Sequence, residues 1–289
     1  MEENAYRDWL SSYTDANSAL DAFENQKQFF RLNTLKVSED AFETSIKCKK
    51  TRYYDAAFEL EEDIQIGKTW EYFLGHIYPQ SLPSILDSLA LNPEEEDIVL
   101  DVAAAPGSKF SHMAMLMKNN GVLVGNDYKK EKISAIYSNI NRLNILNCIV
   151  TMRDGKALGW KERFTKIMLD APCSALGSGR GAAKRWNIEH SKKIAVTQKK
   201  MLFSAFDALK PGGELVYSTC TYAKEENEEV IDNLLQNVPA AKLEEIKLDI
   251  PHSQGLSEYG TEFRKAFRIY PQDLQSEGFF MAKISKGSG

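Results

Sequence analysis

Cys173 and Cys220 each close an apolar, strand-like run, the first in KIMLDAPCSALGSG and the second in ELVYSTCTY. A thiolate is a strong nucleophile that can form a covalent intermediate with an electron-poor carbon, provided the thiol is at least partly ionised. Taken singly, a cysteine at a strand end is more often a small buried hydrophobe than a nucleophile. Recurrence and company shift that balance here. Asp170 and Pro172 stand just before Cys173, and two further acids, Asp127 and Asp154, end other apolar runs. Asp127 has a plain alternative role as the cap of the helix that follows it, and Asp154 as the start of a turn with Gly155. Such ends in succession are harder to assign to capping and packing alone. Cys48 and Cys148 lack these surroundings and read as structural. None of the cysteines has the spacing of a zinc site or a disulfide framework, so free thiols and no metal are expected.

The elements that must position these residues follow from periodicity. From Ile98 onward, apolar runs alternate with helical stretches. In order they are IVLDVAA, a helix near 108–118, VLVGND, a helix near 130–142, CIVTMRD, KIMLDAP, a long helix near 188–209, ELVYSTC and a helix near 224–236. The alternation predicts an α/β fold with a mostly parallel, doubly wound sheet and helices on both faces. In such sheets ligands collect outside the carboxyl ends of the strands, which is where the acids and thiols fall. Upstream, FFRLNTLKV alternates, SEDAFETSI reads as a helix opened by Ser38, and YYDAAFEL reads as a strand. This is a small α+β unit. The expected division places it at 1–75 and the sheet domain at 76–289.

The first strand of the alternating region runs into DVAAAPGSK, which matches neither GxGxxG nor GxxxxGK[ST]. Dinucleotides and nucleoside triphosphates are therefore disfavoured. A loop of small residues around Gly107, with an acid on the next strand to accept from ribose hydroxyls, suits a nucleoside-like ligand without a phosphate. S-adenosylmethionine fits that description. No apolar run is long enough to cross a bilayer, and the acidic start MEENAYRDWLSSYTDAN does not resemble a secretory signal, so a cytoplasmic protein without membrane contact is expected. The formal charge of −5 argues against coating nucleic acid by bulk charge. Locally the sign reverses: between Arg180 and Lys200, seven Lys or Arg meet the single acid Glu189, which suits either a phosphate-facing patch or a solvated helix face.

DVAAAPGSK, LDAPCSALG and YSTCTY, in this order and spacing, resemble the RNA cytosine-C5 methyltransferases of the Fmu/NSUN type. RLNTLK at 31–36, YPQSLPSILDSLAL, and the final RIYPQDLQSEGFFMAKISK extend the resemblance over nearly the whole chain. In length it is most like the compact archaeal tRNA enzymes. The resemblance implies a Rossmann-like class I methyltransferase domain in which Cys220 adds to carbon 6 of cytosine and Cys173 helps release the product. Asp170 would hydrogen-bond the base edge, Lys109 would reach the same pocket, and Pro172 would stiffen the loop. For the cofactor S-adenosylmethionine it implies Ala103, Ala104, Ala105, Pro106, Gly107, Ser108 and Lys109 around the methionine part. Asp127 would meet the ribose, Asp154 the adenine, and Asp170 would border both ligands.

The implied partner is RNA, most simply tRNA, bound by a monomer. Candidate RNA contacts are Arg180, Lys184, Arg185 and Trp186, with Arg31, Asn33 and Lys36 in the N-terminal unit. Trp186 is equally suited to anchoring its loop in the core. The chain departs from the family pattern at Ser108 and Phe110, where glycine and threonine are usual, and at Gln272, where histidine is common. DNA cytosine methyltransferases use the proline-cysteine thiol, which keeps Cys173 as a rival nucleophile. An rRNA substrate, a DNA or small-molecule methyltransferase, and a non-catalytic RNA-binding scaffold remain as alternatives. Asp127, Asp170, Cys173 and Cys220 occurring together weigh against the last.

Overall fold

The computed structural model describes residues 2–179 and 181–287. Four short strands, β1 (Phe29–Leu32), β2 (Cys48–Lys50), β3 (Ala57–Leu60) and β4 (Ile77–Pro79), pair antiparallel in the order β2-β3-β1-β4. The larger sheet holds β5 (Ile98–Asp101), β6 (Val122–Asn126), β7 (Cys148–Thr151), β8 (Phe164–Asp170), β9 (Leu209–Thr219), β10 (Ala241–Glu244), β11 (Ser253–Gln254), β12 (Phe267–Ile269) and β13 (Phe279–Lys286). Its order is β11-β12-β13-β9-β8-β5-β6-β7, with β10 pairing β13. The stretch from β9 to β7 is parallel, and β10 to β13 add antiparallel pairs beside β9. The chain order reverses between β5 and β8. A crevice at the carboxyl ends of these two strands is the expected ligand position.

The helices are α1 (Glu2–Ser11), α2 (Ala16–Glu24), α3 (Trp70–Phe73), α4 (Leu82–Leu91), α5 (Ser108–Leu116), α6 (Lys130–Leu143), α7 (Ala182–Arg185), α8 (Ile188–Ala208), α9 (Glu228–Asn237) and α10 (Pro271–Leu274). Apolar clusters lie on both faces of the sheet: Val99, Met113, Leu123 and Met168 belong to one, Leu100, Ile167, Leu202 and Leu215 to the other. Adjacent residues of β5 and β8 thus feed opposite clusters, as alternation along a strand requires. Phe29, Ala57 and Tyr78 of the small sheet join the first cluster. The opening helices pack elsewhere: Tyr6, Leu10 and Phe23 gather around Ala182, Tyr222 and Tyr270. Among the described residues, no helix is long and apolar enough to cross a membrane.

Two elements differ from expectation. SEDAFETSI forms only a 3-10 turn at Glu39–Ala41, in which Ser38 makes no capping hydrogen bond and no residue is buried. A short helix without a buried face has nothing to offset the cost of nucleation. The helix expected from 224 starts instead at Glu228. The preceding residue, Asn227, is occupied in fixing the end of β9. Thr219 Oγ1 donates to its Oδ1 at 2.6 Å, and its Nδ2 donates to the Thr221 carbonyl at 3.0 Å.

The same loop is held from β12. Buried Arg268 donates from Nε to Glu228 Oε1 at 2.7 Å and from Nη1 to the Tyr222 carbonyl at 3.0 Å. Removing one member of a buried pair leaves an uncompensated charge, which costs about 3–5 kcal/mol. Arg268→Met is therefore expected to lower unfolding stability by that amount in denaturant titrations. Replacing both partners together, Arg268→Met with Glu228→Leu, should recover much of the loss.

Candidate active site

The loop after β5 turns toward α5 at Gly107, whose φ of +112° is a left-handed conformation that glycine adopts freely. Upstream, the Ala104 amide donates to the Asn126 carbonyl at 2.8 Å, and Asn126 Nδ2 donates to the Val102 carbonyl at 3.0 Å. These bonds hold the loop against the end of β6. Asp127, the next residue, is buried and accepts from the Lys129 amide at 3.1 Å, with Lys132 Nζ 3.8 Å away. Asp154 accepts from the Lys156 amide at 3.0 Å and caps the turn at Gly155–Ala157. Both acids make the local turn contacts that their positions allow. Both also face one cavity of about 550 Å³. Its lining includes Ala103 and Ala105 from the first loop, Asp127, Asp154 and Asp170 from later strand ends, and both Cys173 and Cys220. Small residues, a buried acid on the second strand and an apolar floor of Val102 and Met201 suit the nucleoside-like cofactor inferred above.

The thiols meet because β8 and β9 are parallel neighbours, with Asp170 opposite Ser218. Each chain then continues past its strand end, and Cys173 Sγ comes to 3.1 Å from Cys220 Sγ. Several contacts fix the two loops. Gly177 donates its amide to the Cys220 carbonyl at 2.9 Å and accepts at its own carbonyl from the Gly278 amide at 2.8 Å. A Cβ on Gly177 would come within 2.6 Å of the Gly278 carbonyl, so only glycine fits between them. Ser174 Oγ lies 3.0 Å from Thr221 Oγ1, and its amide donates to Glu226 Oε2 at 2.9 Å. From α8, Gln198 Nε2 donates to the Pro172 carbonyl at 3.0 Å and to the same Glu226 oxygen at 3.1 Å. The hydrogen bond shared with Cys173, followed by burial, pushes the Cys220 thiol well up. Cys220 therefore rests as a thiol.

Behind the thiols lies a buried charge cluster. Lys109 Nζ donates to Asp170 Oδ2 at 2.6 Å and stands 3.7 Å from Asp87 Oδ2. Ser218 Oγ donates to that Asp87 oxygen at 2.6 Å. Burial alone would depress the Lys109 ammonium, but Asp170 and Asp87 reverse the effect and raise it. Burial pushes Asp87 up to about 7 and Asp101 up to about 8, with the Asp170 charge adding to both shifts. Asp87, Glu226, Gln198 and Ser218 went unnoticed in the sequence. Asp87 sits within SLPSILDSLAL, where an acid inside an otherwise apolar helix was the available signal.

Other expected site residues fall in different places. Of the 103–109 loop, Ala104 is buried in the backbone bonding just described, Pro106 is exposed, and Lys109 turns to Asp170. Gly107 and Ser108 lie at the start of α5 and are not among the cavity-lining residues. Arg31 and Asn33, expected to face RNA, are buried. Arg31 donates to Gln80 Oε1 at 3.2 Å and to Ser111 Oγ at 2.8 Å, while Asn33 Nδ2 donates to the carbonyls of Gly75 at 2.8 Å and Leu143 at 2.9 Å. They brace the small sheet against α5 and α6, because polar side chains buried at that junction need internal partners. Lys36 is exposed and donates to the Leu74 carbonyl at 2.8 Å.

Arg180 lies outside the described residues. Lys184 and Arg185 are exposed on α7, with Arg185 donating to the Ala175 carbonyl at 3.1 Å. Trp186 is half-buried, its ring 6.3 Å from that of Trp9 in the cluster around Tyr6, which is the anchoring alternative. The family departures have local partners. Phe110 packs over Gly125, where a Cβ would approach its ring to 2.7 Å, and Gln272 Nε2 donates to Thr14 Oγ1 at 2.7 Å.

If contact with Cys173 holds the Cys220 thiol up, Cys173→Ala should move the pH profile of Cys220 alkylation to lower pH. Iodoacetamide labelling read at the Cys220 peptide by mass spectrometry checks this. A profile that stays in place would refute the coupling.

Comparison with known proteins bears on the family and the fold. The family described as 16S rRNA methyltransferase RsmB/F matches residues 88–285. The tRNA (cytosine(49)-C(5))-methyltransferase of Pyrococcus abyssi is 41% identical over 233 residues, covering 78% of this chain and 75% of that enzyme. The ribosomal RNA small subunit methyltransferase F of Vibrio campbellii is 38% identical over 277 residues, covering 90% of this chain. Against that bacterial relative the chain spans only 57% of the length. A crystal structure of a methyltransferase homologue from Pyrococcus horikoshii superposes with a TM-score of 0.82 at 34% identity, covering 94% of this chain and 90% of that one. Fold, matched residues and the identity to these enzymes lead to one assignment: the chain belongs to the RsmB/F family of methyltransferases.

Proposed function

We propose that this chain methylates carbon 5 of a cytosine in RNA, with tRNA as substrate and S-adenosylmethionine as donor, acting as a monomer in the cytoplasm. The observation that carries the reading is the 3.1 Å approach of Cys173 and Cys220 in the cavity that Asp127 and Asp154 also line. When bound, S-adenosylmethionine supplies an electrophilic methyl group. The chain's residues do the rest. Ala103 and Ala105 border the methionine part, Asp127 accepts from the ribose hydroxyls, and Asp154 accepts from the adenine amino group.

Carbon 5 of cytosine is a poor nucleophile until something adds to carbon 6 and turns the ring into an enamine. Cys220 does this as a thiolate, its proton having left to solvent through the open cavity. Asp170 accepts from the cytosine amino group. As negative charge moves onto the ring, the Lys109 ammonium behind Asp170 offsets it, and Asp87 with Ser218 keeps that ammonium in place. After transfer, carbon 5 must lose its proton and carbon 6 its thiol. Cys173, next to the departing sulfur, assists that release. A base stacked in a helix is out of reach of either thiol, so the target must be flipped or unpaired at a cost of a few kcal/mol.

The roles separate experimentally. With radiolabelled donor, wild-type protein should label RNA in preference to DNA and free cytidine. Cys220→Ala should lower transfer by several orders of magnitude while leaving donor affinity nearly intact. Cys173→Ala should accumulate a covalent protein–RNA band that survives denaturing electrophoresis. If Cys220→Ala traps RNA and Cys173→Ala turns over freely, the two roles are reversed.

A further inference from the structure

A second, larger concavity of about 660 Å³ lies outside the thiol cavity. One wall is a single face of α8: Val196, Lys199, Lys200, Phe203, Ser204 and Asp207 recur at the three- and four-residue spacing that places side chains in one stripe. The facing wall is the turn after β7, with Lys156, Trp160 and Lys161. Lys156 lines both cavities, so the two are neighbours. The guanidinium of Arg153 lies 4.7 Å from the centre of the Trp160 ring, adding a further cation at this edge.

This groove is not explained by folding. Among the described residues Lys161, Lys199 and Lys200 have no ion-pair partner, and Asp207 is the one carboxylate in the lining. Val196 is 56% exposed. The whole chain carries −5, so cations gathered against the overall sign, around an open apolar floor, mark a surface complementary to an anion. The stripe from Val196 to Asp207 is about 16 Å long at 1.5 Å per residue. That length exceeds a mononucleotide and suits successive phosphates of one strand.

We infer that this groove holds the phosphodiester backbone of the RNA at a distance from the reacting base. The inference rests on the reading that RNA is the substrate, and it adds a binding surface that the catalytic residues do not include. Lys161, Lys199 and Lys200 take phosphates, and Val196 and Phe203 underlie the sugars.

The test uses the full chain with Lys161→Gln, Lys199→Gln and Lys200→Gln combined, and unfractionated tRNA as probe. Each lost phosphate contact removes roughly 0.7–0.9 from the slope of log affinity against log salt, so the triple variant should lose about two in slope and bind about tenfold or more weakly. KM for tRNA should rise by a similar factor with kcat and donor affinity unchanged. On a cytosine-containing oligonucleotide too short to reach the groove, variant and wild type should perform alike. Unchanged tRNA affinity and salt slope in the variant would overturn the inference, as would an equal loss on the short oligonucleotide. Groove-dependent tRNA binding by a wild-type chain that transfers no methyl group would uphold the groove and reject the methylation reading instead.

Discussion

Everything at this site depends on the parallel pairing of β8 with β9. Asp170 and Ser218 sit opposite each other, and the two chains leave their strands on the same side, so residues distant in sequence deliver sulfur atoms to a 3.1 Å contact. A register slip would carry Cys220 away and turn its strand neighbours to the opposite face. Loops past a strand end are ordinarily free to drift. Here Gly177, Ser174, Gln198 and Glu226 tie the first loop to the second, and Asn227 with Arg268 ties the second to α9 and β12. The loops that carry the thiols are thus tied to α8, α9 and β12 as well as to each other.

The charge cluster shows a related economy. An ammonium as buried as that of Lys109 is tolerated only with close partners, and Asp170 and Asp87 supply them. Asp87, pushed up to about 7 by burial, is itself hydrogen-bonded by Ser218 of β9. The cluster therefore joins α4, α5, β8 and β9 behind the cavity. The contacts that make the charges bearable also hold Asp170 at the cavity wall.

Much of this was legible in the sequence. The alternation after Ile98 contains the parallel strands and their helices, and the acids and cysteines at strand ends fall on the cavity wall. Strand ends are legible because an apolar run must stop where the chain meets a ligand or solvent. Partners across the sheet were not legible. Glu226 and Gln198 read as ordinary polar helix residues; Asp87 carried a signal as an acid in the apolar run SLPSILDSLAL, but its partners Lys109 and Ser218 did not follow from it. Arg31 and Asn33 failed in the opposite direction. Their place in the RLNTLK segment suggested RNA contact, but the small sheet packs onto α5 and α6 through them. The expected helix at SEDAFETSI shows that a capping residue and a helical pattern do not suffice where no face is buried.

The central claim is that the Cys220 sulfur forms a bond with a pyrimidine in the cavity it shares with Cys173. RNA in which 5-fluorocytosine replaces cytosine tests it most directly, because fluorine at carbon 5 cannot leave as a proton does and the complex stalls after methyl transfer. Peptide mapping of the trapped protein by mass spectrometry should find the modified nucleotide on the peptide containing Cys220, and only when S-adenosylmethionine is supplied. A nucleotide attached at Cys173, or no attachment although methyl transfer to ordinary RNA proceeds, would contradict it.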